Sequence, residues 1–170
     1  MQTDINRLIE EYGKKVYNFC LRLCKSTYDA DDLYQDTFLK AMEKISSIDE
    51  NNNPGAYLCS IAVSLWKSKL RKEKRRQEIA PVMPIEEEIA LIPTDGIEEG
   101  ILKREFYAEI KTAVSELDDN LRQCVVLHYI AKMSLAEISQ TLQIPEGTVK
   151  SRLHTARSLL KQKIAKGEAV

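Results

Sequence analysis

The sequence predicts an all-α protein with two small helical domains joined by a flexible acidic linker, the second domain containing a helix-turn-helix. Apolar residues recur every three or four positions along most of the chain, which is the period of an amphipathic helix. A stretch rich in proline, glycine and acidic residues interrupts this period at 77–100. Two short helical patterns near the end are separated by residues 143–145. We therefore predict domains over 1–76 and 101–170, with the linker between them.

The first two helices of the N-terminal domain are predicted from their apolar spacing. From Ile5 to Leu23 the apolar residues step by three and four, which gives the first helix one face to bury. The second helix lies in the segment DADDLYQDTFLKAMEKI and can turn Leu33 and either Phe38 or Thr37 inward. Acidic residues at its start complement the positive end of its dipole. They also form a rim beside Gln35, Phe38 and Met42, and this face is suited to docking a basic helix or coiled coil of another protein.

An asparagine-rich loop and a basic helix follow. Three asparagines at 51–53 precede Pro-Gly, which is typical of a turn, although amide side chains can also hydrogen-bond an unpaired base. The third helix begins with apolar residues and carries seven basic residues within 67–76. A solvated helix end accounts for two or three of these more easily than for seven. With Tyr57 and Trp66 beside it, the run is typical of a platform for single-stranded or melting DNA.

The helix-turn-helix is predicted over residues 134–160, where proline at 145 interrupts the first helical pattern. One arc of its second helix is apolar and packs back on the first. The opposite arc carries hydrogen-bond donors and cations, which are the side chains that contact phosphates and base edges in the major groove. An ordinary helical hairpin with a solvated basic face is the alternative interpretation. The apolar arc comprises Val149, Leu153, Ala156 and Leu160, and the polar arc Lys150, Ser151, His154, Arg157, Ser158 and Lys161.

Charge is segregated along the chain although the net charge is only −1. Residues 1–76 hold 14 basic and 11 acidic residues, residues 77–110 hold 2 and 9, and residues 111–170 hold 9 and 6. The segments therefore carry +3, −7 and +3. This distribution predicts local contact with DNA rather than a general coating of phosphates.

No apolar run approaches the roughly 18 to 20 residues that span a bilayer. Acidic residues stand near the N-terminus, where a signal peptide has an apolar core. We therefore expect a cytoplasmic protein without membrane insertion.

The four cysteines suggest buried apolar residues rather than a metal site. They form no CxxC pair and no paired zinc-ligand spacing. Free cysteine in a cytosolic protein is most often a small buried hydrophobe. We expect no cofactor and no metal. An enzymatic interpretation, with Cys20, Cys24, Cys124 and His128 as metal ligands, would require bound zinc near one equivalent.

These segments, in this order, resemble the alternative sigma factors of bacterial RNA polymerase, most closely the compact extracytoplasmic-function (ECF) group. DADDLYQDTFLKAMEKI resembles the polymerase-docking helix of that group, NPGAYLCSIAVSLWKSKLRKEKRR its minus-ten recognition and melting segment, and IPEGTVKSRLHTAR its minus-thirty-five reader. The resemblance spans nearly the whole chain. It implies a promoter-specificity subunit that is not an enzyme, whose partners are core RNA polymerase, promoter DNA and an anti-sigma factor.

Carried over by position, the resemblance implies three sets of contact residues. Those implied for polymerase docking are Asp32, Gln35, Asp36, Phe38 and Met42. Those implied for the minus-ten element are Asn51, Asn52, Asn53, Ser64, Lys67 and Arg71. Those implied for the minus-thirty-five element are Lys150, Ser151, His154, Thr155 and Arg157. The chain departs from residues that the family often carries at three positions, Ser64, Ser68 and Thr155, where asparagine, aspartate and arginine are common.

A stand-alone helix-turn-helix regulator is the second hypothesis. In that case the N-terminal half would be a dimerisation or sensing domain. A sensor needs a ligand pocket or a phosphoacceptor on an α/β fold, whereas this half is predicted to be helical and to end in a cationic run.

Overall fold

A computed structural model confirms the all-α class. It describes residues 4–49, 51–80 and 101–167, with the backbone alone for 101–107 and 167. Within these ranges the chain forms seven α-helices and divides into two units, residues 1–90 and 91–170.

Three α-helices form the first unit. They are α1 (Ile5–Leu23), α2 (Thr27–Glu43) and α3 (Pro54–Ile79), with a short 3-10 turn at Ile45–Ser47 after α2. Each α-helix begins at a polar cap whose side chain accepts a hydrogen bond from a backbone N–H of the first turn. The caps are Asp4, Ser26 and Asn53.

The core of the first unit lies where the three helices meet. Phe19 and Leu23 of α1 and Leu58 of α3 are fully buried. The sequence pattern left open whether Phe38 or Thr37 of α2 turns inward, and both do. Thr37 is tolerated there because its hydroxyl donates a 2.6 Å hydrogen bond to the carbonyl of Leu33, one turn earlier.

The third helix is longer than the predicted domain. We expected the domain to end at residue 76, but α3 continues to Ile79. Residues 56–80 contain no glycine or proline, so nothing in the basic run stops the helix. Ala80 is extended because it precedes Pro81, and a residue before proline is disfavoured in helical geometry. The rest of the predicted linker, 81–100, lies outside the described residues.

Four α-helices form the second unit. They are α4 (Ile101–Ser115), α5 (Asp119–Tyr129), α6 (Leu135–Leu142) and α7 (Glu146–Gly167). A buried arginine joins the first two, since Arg122 is only 1% exposed. Its Nη1 donates to the carbonyl oxygens of Ser115 and Leu117, both at 3.0 Å, and its Nη2 pairs with Asp119. The guanidinium thereby satisfies carbonyls at the end of α4 that have no partner within the helix.

Candidate docking face and nucleic-acid interfaces

Helices α6 and α7 form the predicted helix-turn-helix. α6 begins with a capping box, in which Ser134 Oγ accepts from the Glu137 N–H at 3.3 Å and the Glu137 carboxylate accepts from the Ser134 N–H at 2.7 Å. It ends at Gln143, whose φ of 55° lies in the left-handed region. Pro145 directly precedes α7. The α7 residues predicted to pack on α6 are buried, namely Val149, Leu153 and Ala156, while Leu160 is half-buried.

Replacing Ser134 by alanine should raise the pKa of Glu137. Hydrogen bonds from the Ser134 backbone N–H and then its hydroxyl hold the pKa of the Glu137 carboxyl below its ordinary value. The ionised carboxylate therefore stabilises the fold above its unfolded pKa, and this stabilisation is lost as the pH falls through the folded pKa. Alanine removes the hydroxyl and should cost about 1 kcal/mol of stability as a lost cap. NMR titration of the Glu137 carboxyl tests this, with Ser158→Ala as the control. An unchanged Glu137 pKa in Ser134→Ala would contradict it.

The candidate reading face lies on the solvent side of α7. All five side chains implied for the minus-thirty-five element are exposed there: Lys150, Ser151, His154, Thr155 and Arg157. Ser151 Oγ donates to the carbonyl of Thr148 at 3.0 Å, and Arg157 Nε donates to that of Leu153 at 3.3 Å. The face therefore combines cations with short hydroxyl side chains on one surface-exposed helix.

Arg152 lies on the same helix but turns towards the interior of the second unit. It is half-buried, and it partly opposes the effect of burial, which raises the pKa of the Cys124 thiol. Since Cys124 belongs to α5, Arg152 connects α7 to the helix beneath it. The cation between Ser151 and Leu153 is thus a packing residue and not part of the reading face.

The outer side of α2 is the candidate docking face. Asp32, Gln35 and Asp36 are exposed, and Met42 is 50% exposed. The structure therefore presents four of the five side chains implied for polymerase docking to solvent.

Phe38 is the fifth, and the structure corrects that prediction. It is only 6% exposed, and its ring lies edge-on to that of Tyr34, with 5.0 Å between centroids. Phe38 follows Leu33 and Thr37 into the core because the buried arc of α2 is wide enough to include both of two successive positions. It cannot contact a docking partner directly from this position.

The asparagine loop before α3 uses part of its amide chemistry for its own turn. Asn51, Asn52 and Asn53 are all exposed. Asn53 has a φ of 48°, and its Oδ1 accepts from the Ala56 N–H at 3.2 Å, so this oxygen caps α3. Turn geometry thus explains Asn53, whereas it does not require amides on the side chains of Asn51 and Asn52.

A small cavity lies between α1 and this loop. It has a volume of about 120 Å³ and is lined by Arg7, Leu8, Glu11, Tyr12, Asn51 and Pro54. Sequence reasoning did not include the α1 wall of this cavity. No local signal could have placed it there, because the two walls are some forty positions apart in the chain and only the packing of α1 against α3 brings them together.

The candidate strand-holding residues share one side of α3. Ser64 and Arg71 are exposed and Lys67 is half-buried. Their spacing of three and four places them in one narrow arc of the helix. Arg71 Nη2 also donates to Ser68 Oγ at 3.2 Å.

Two other residues of the basic run have structural roles. Lys69 pairs with Asp29 of α2, and its Nζ lies 5.8 Å from the centroid of the Trp66 ring. Trp66 is only 4% exposed. The prediction that Trp66 stacks on DNA bases is therefore wrong, because its ring belongs to the core of the first unit.

All four cysteines are buried free thiols. Burial raises the pKa of Cys59 to about 12 and raises that of Cys20 as well. Thiols with such pKa values are protonated at neutral pH and are poor nucleophiles and metal ligands. In the described ranges no group of three or more His, Cys, Asp or Glu residues is arranged to hold a metal ion.

Membrane-spanning character was also assessed helix by helix. Of the helices that the structure describes, none combines the length and the apolar character required to cross a bilayer.

Comparison with known proteins relates both units to one family. The model described as Sigma-70 region 2 matches residues 8–76, and that described as Sigma-70, region 4 matches residues 107–160. The ECF RNA polymerase sigma factor SigW of Bacillus subtilis (strain 168) is 31% identical over 162 residues, which cover 92% of this chain and 87% of that protein. The ECF RNA polymerase sigma factor SigM of the same organism is 28% identical over 157 residues, covering 92% and 93%.

A solved structure shows the same fold. The sigma factor RpoE, from its co-crystal structure with the anti-sigma factor NepR from Bartonella quintana, matches with a TM-score of 0.78 and 24% identity, covering 96% of this chain and 98% of that one. The two family models fall within the two helical units, and the relatives span nearly the whole chain. The chain therefore belongs to the extracytoplasmic-function sigma factors, the promoter-specificity subunits of bacterial RNA polymerase.

Proposed function

We propose that the two units divide promoter recognition between them. Domain 1–76 docks on core polymerase and engages the melted minus-ten element, domain 101–170 reads the minus-thirty-five element as duplex DNA, and the acidic segment 77–100 connects them. The main support is that the segment matching region 2 forms the three-helix bundle, while the segment matching region 4 carries the helix-turn-helix. In this role the chain supplies binding surfaces, and the polymerase supplies catalysis.

Docking is assigned to the outer face of α2. Its exposed carboxylates, Asp32 and Asp36, attract a basic helical segment of the polymerase, and Gln35 between them offers both hydrogen-bond donors and an acceptor. Charges at the rim of an interface mainly raise the association rate and select the partner. Met42 adds apolar contact area at the end of the face.

The asparagine loop and α3 are assigned to the melted strand. The amides of Asn51 and Asn52 hydrogen-bond an unpaired base, with Asn53 holding the loop in shape, while Ser64, Lys67 and Arg71 contact the backbone of the same strand. Unpairing a base costs a few kcal/mol. Because the loop binds only the unpaired form, its binding free energy shifts the DNA towards the open state.

The upstream element is assigned to α7. Lys150, Ser151 and His154 lie in its first turns, which is the part of a recognition helix nearest the bases. Thr155 and Arg157 extend the surface towards the phosphates. Because threonine replaces the arginine common at position 155 of the family, we expect one phosphate or base contact fewer there.

Lys150→Ala should weaken binding to the upstream element and reduce its dependence on salt. If Lys150 contacts one phosphate, the slope of log K against log salt should become shallower by about one unit. Fluorescence anisotropy titrations with labelled duplex at several salt concentrations measure this slope. Lys166→Ala is the matched control, because Lys166 is also exposed but lies in the last turn of α7. Equal slopes for wild type and Lys150→Ala would contradict the phosphate contact.

Regulation is assigned to a separate protein. We propose that the chain acts in the cytoplasm and is held inactive by an anti-sigma factor. The fold is shared with a sigma factor that was crystallised with such an inhibitor, which supports the proposal.

The proposed function is tested by transcription of a fragmented genomic template with core polymerase, with and without the purified protein. New transcript starts that share an upstream and a downstream element would support it and reveal the promoter sequence. If an active core gave no new starts and did not bind the protein, the proposal would fail. A homodimer footprint on an operator without polymerase would instead support the stand-alone regulator.

A further inference from the structure

Five exposed side chains form a single stripe along α2. They are Tyr28, Asp32, Gln35, Leu39 and Met42, and their separations alternate between four and three residues. This is the spacing of the a and d positions of a heptad, along which one α-helix packs against another. At 1.5 Å per residue the seam from Tyr28 to Met42 is about 21 Å long.

Three of these side chains are large and apolar. Tyr28 is 70% exposed, Leu39 is 56% exposed and Met42 is 50% exposed. The described residues include seven large apolar side chains with comparable exposure, and three of the seven lie on this one seam. Helix α2 therefore has two apolar faces. Leu33, Thr37 and Ala41 fill the first inside the bundle, and the second faces solvent.

Acidic residues flank the seam. Asp31 immediately precedes Asp32, and Asp36 immediately follows Gln35, so they occupy the g and e positions of the heptad, and both are exposed. The e and g positions of packed helices select the partner by charge. This arrangement favours a partner helix with apolar residues along its own seam and basic residues beside them.

We propose that α2 docks by packing this seam lengthwise against a single helix of core RNA polymerase, with Tyr28 and Leu39 as apolar anchors. This inference rests on the proposed docking role of α2 and adds two residues that the docking set did not contain. The apolar side chains at both ends supply buried area. The polar pair Asp32 and Gln35 between them fixes the register, as a polar residue does within an apolar heptad seam.

The partner is identified by site-specific photo-crosslinking. The full-length chain, carrying p-benzoylphenylalanine at position 28, 39 or 42, is irradiated with purified core polymerase, and the crosslinked peptides are mapped by mass spectrometry. All three positions should crosslink to one polymerase helix, in order along its length, whereas position 9 on α1 should not. Crosslinks to a second copy of this chain, or to unrelated polymerase segments, would overturn the proposal.

Affinity measurements separate this proposal from the docking role itself. Leu39→Asn and Tyr28→Asn should each weaken binding to core polymerase by about tenfold or more, the effect expected of an apolar anchor. Ile9→Asn, at a residue also partly exposed but on α1, should change affinity less than about twofold. Leu39→Ala and circular dichroism of every variant identify any loss caused by misfolding.

Three outcomes are distinguishable. If the seam variants and Gln35→Ala/Asp36→Ala all lose binding, the seam is supported. If only Gln35→Ala/Asp36→Ala loses binding, the seam is overturned and the docking role of α2 stands. If every variant binds normally, docking through α2 fails together with the seam.

Discussion

Gln35→Ala combined with Asp36→Ala should lose binding to core RNA polymerase and all promoter-directed transcription. Both side chains are exposed at the centre of the docking face, so their removal should leave the three-helix bundle intact. Each central interface residue is worth about 2 kcal/mol or more, so the pair should weaken the dissociation constant about 100-fold or more. Biolayer interferometry with immobilised core polymerase measures this loss.

The chain offers a closely matched control for this variant. Gln77 and Glu78 form another adjacent pair of amide and acid, and both are exposed on α3. Gln77→Ala/Glu78→Ala should therefore bind the polymerase as the wild type does. The Gln35→Ala/Asp36→Ala variant should also retain wild-type binding to an upstream-element duplex, because its α7 is unchanged. Normal affinity of this variant for core polymerase would show that the docking assignment is wrong.

Arg122→Met should unfold the second unit at a much lower temperature than in the wild type. Methionine fills part of the space but leaves the carbonyls of Ser115 and Leu117 without their donor, and the partner carboxylate of Asp119 loses its cation. Removing one member of a buried charged network costs about 3 to 5 kcal/mol. Differential scanning calorimetry of the full chain should show this as a lowered transition for the second unit.

Loss of this arginine should also reach the DNA-binding surface. Helix α5 packs against both α6 and α7, so its displacement disturbs the helix-turn-helix. Binding to the upstream element should therefore fall as the second unit unfolds, while binding to core polymerase through α2 should persist. Lys161→Met is the control, since Lys161 is exposed on α7 and surface substitutions change stability by about 0.5 kcal/mol or less. Wild-type stability of Arg122→Met would show that the network contributes little.

The helical elements were largely predictable because their signals are local. Apolar spacing predicted α1 and α7, and Pro145 and the asparagines before Pro54 predicted where helices begin. The exposed face of α7 followed from the same spacing, because residues opposite a buried stripe must face solvent. These features depend on residues within a few turns of each other, which a sequence pattern can relate.

Residues at the edges of a helical face were not predictable in this way. Spacing gives the direction of a side chain, but the width of the covered arc depends on the neighbouring helices. Phe38 and Trp66 are buried for this reason, although the pattern suggested surface roles for both. Lys69 and Arg152 were similarly indistinguishable from other cations until Asp29 and Cys124 were placed beside them.

The sequence by itself determined the all-α class, the helix-turn-helix, and the resemblance to ECF sigma factors, because helical period, proline breaks and motif order are written along the chain. Only the tertiary structure decided that Arg122 is a buried link between α4 and α5, since its carbonyl partners lie in a different helix and the turn after it. It also decided that Leu39, not Phe38, faces solvent on α2. The physical reason is the same in both cases: burial and pairing depend on which helices pack together.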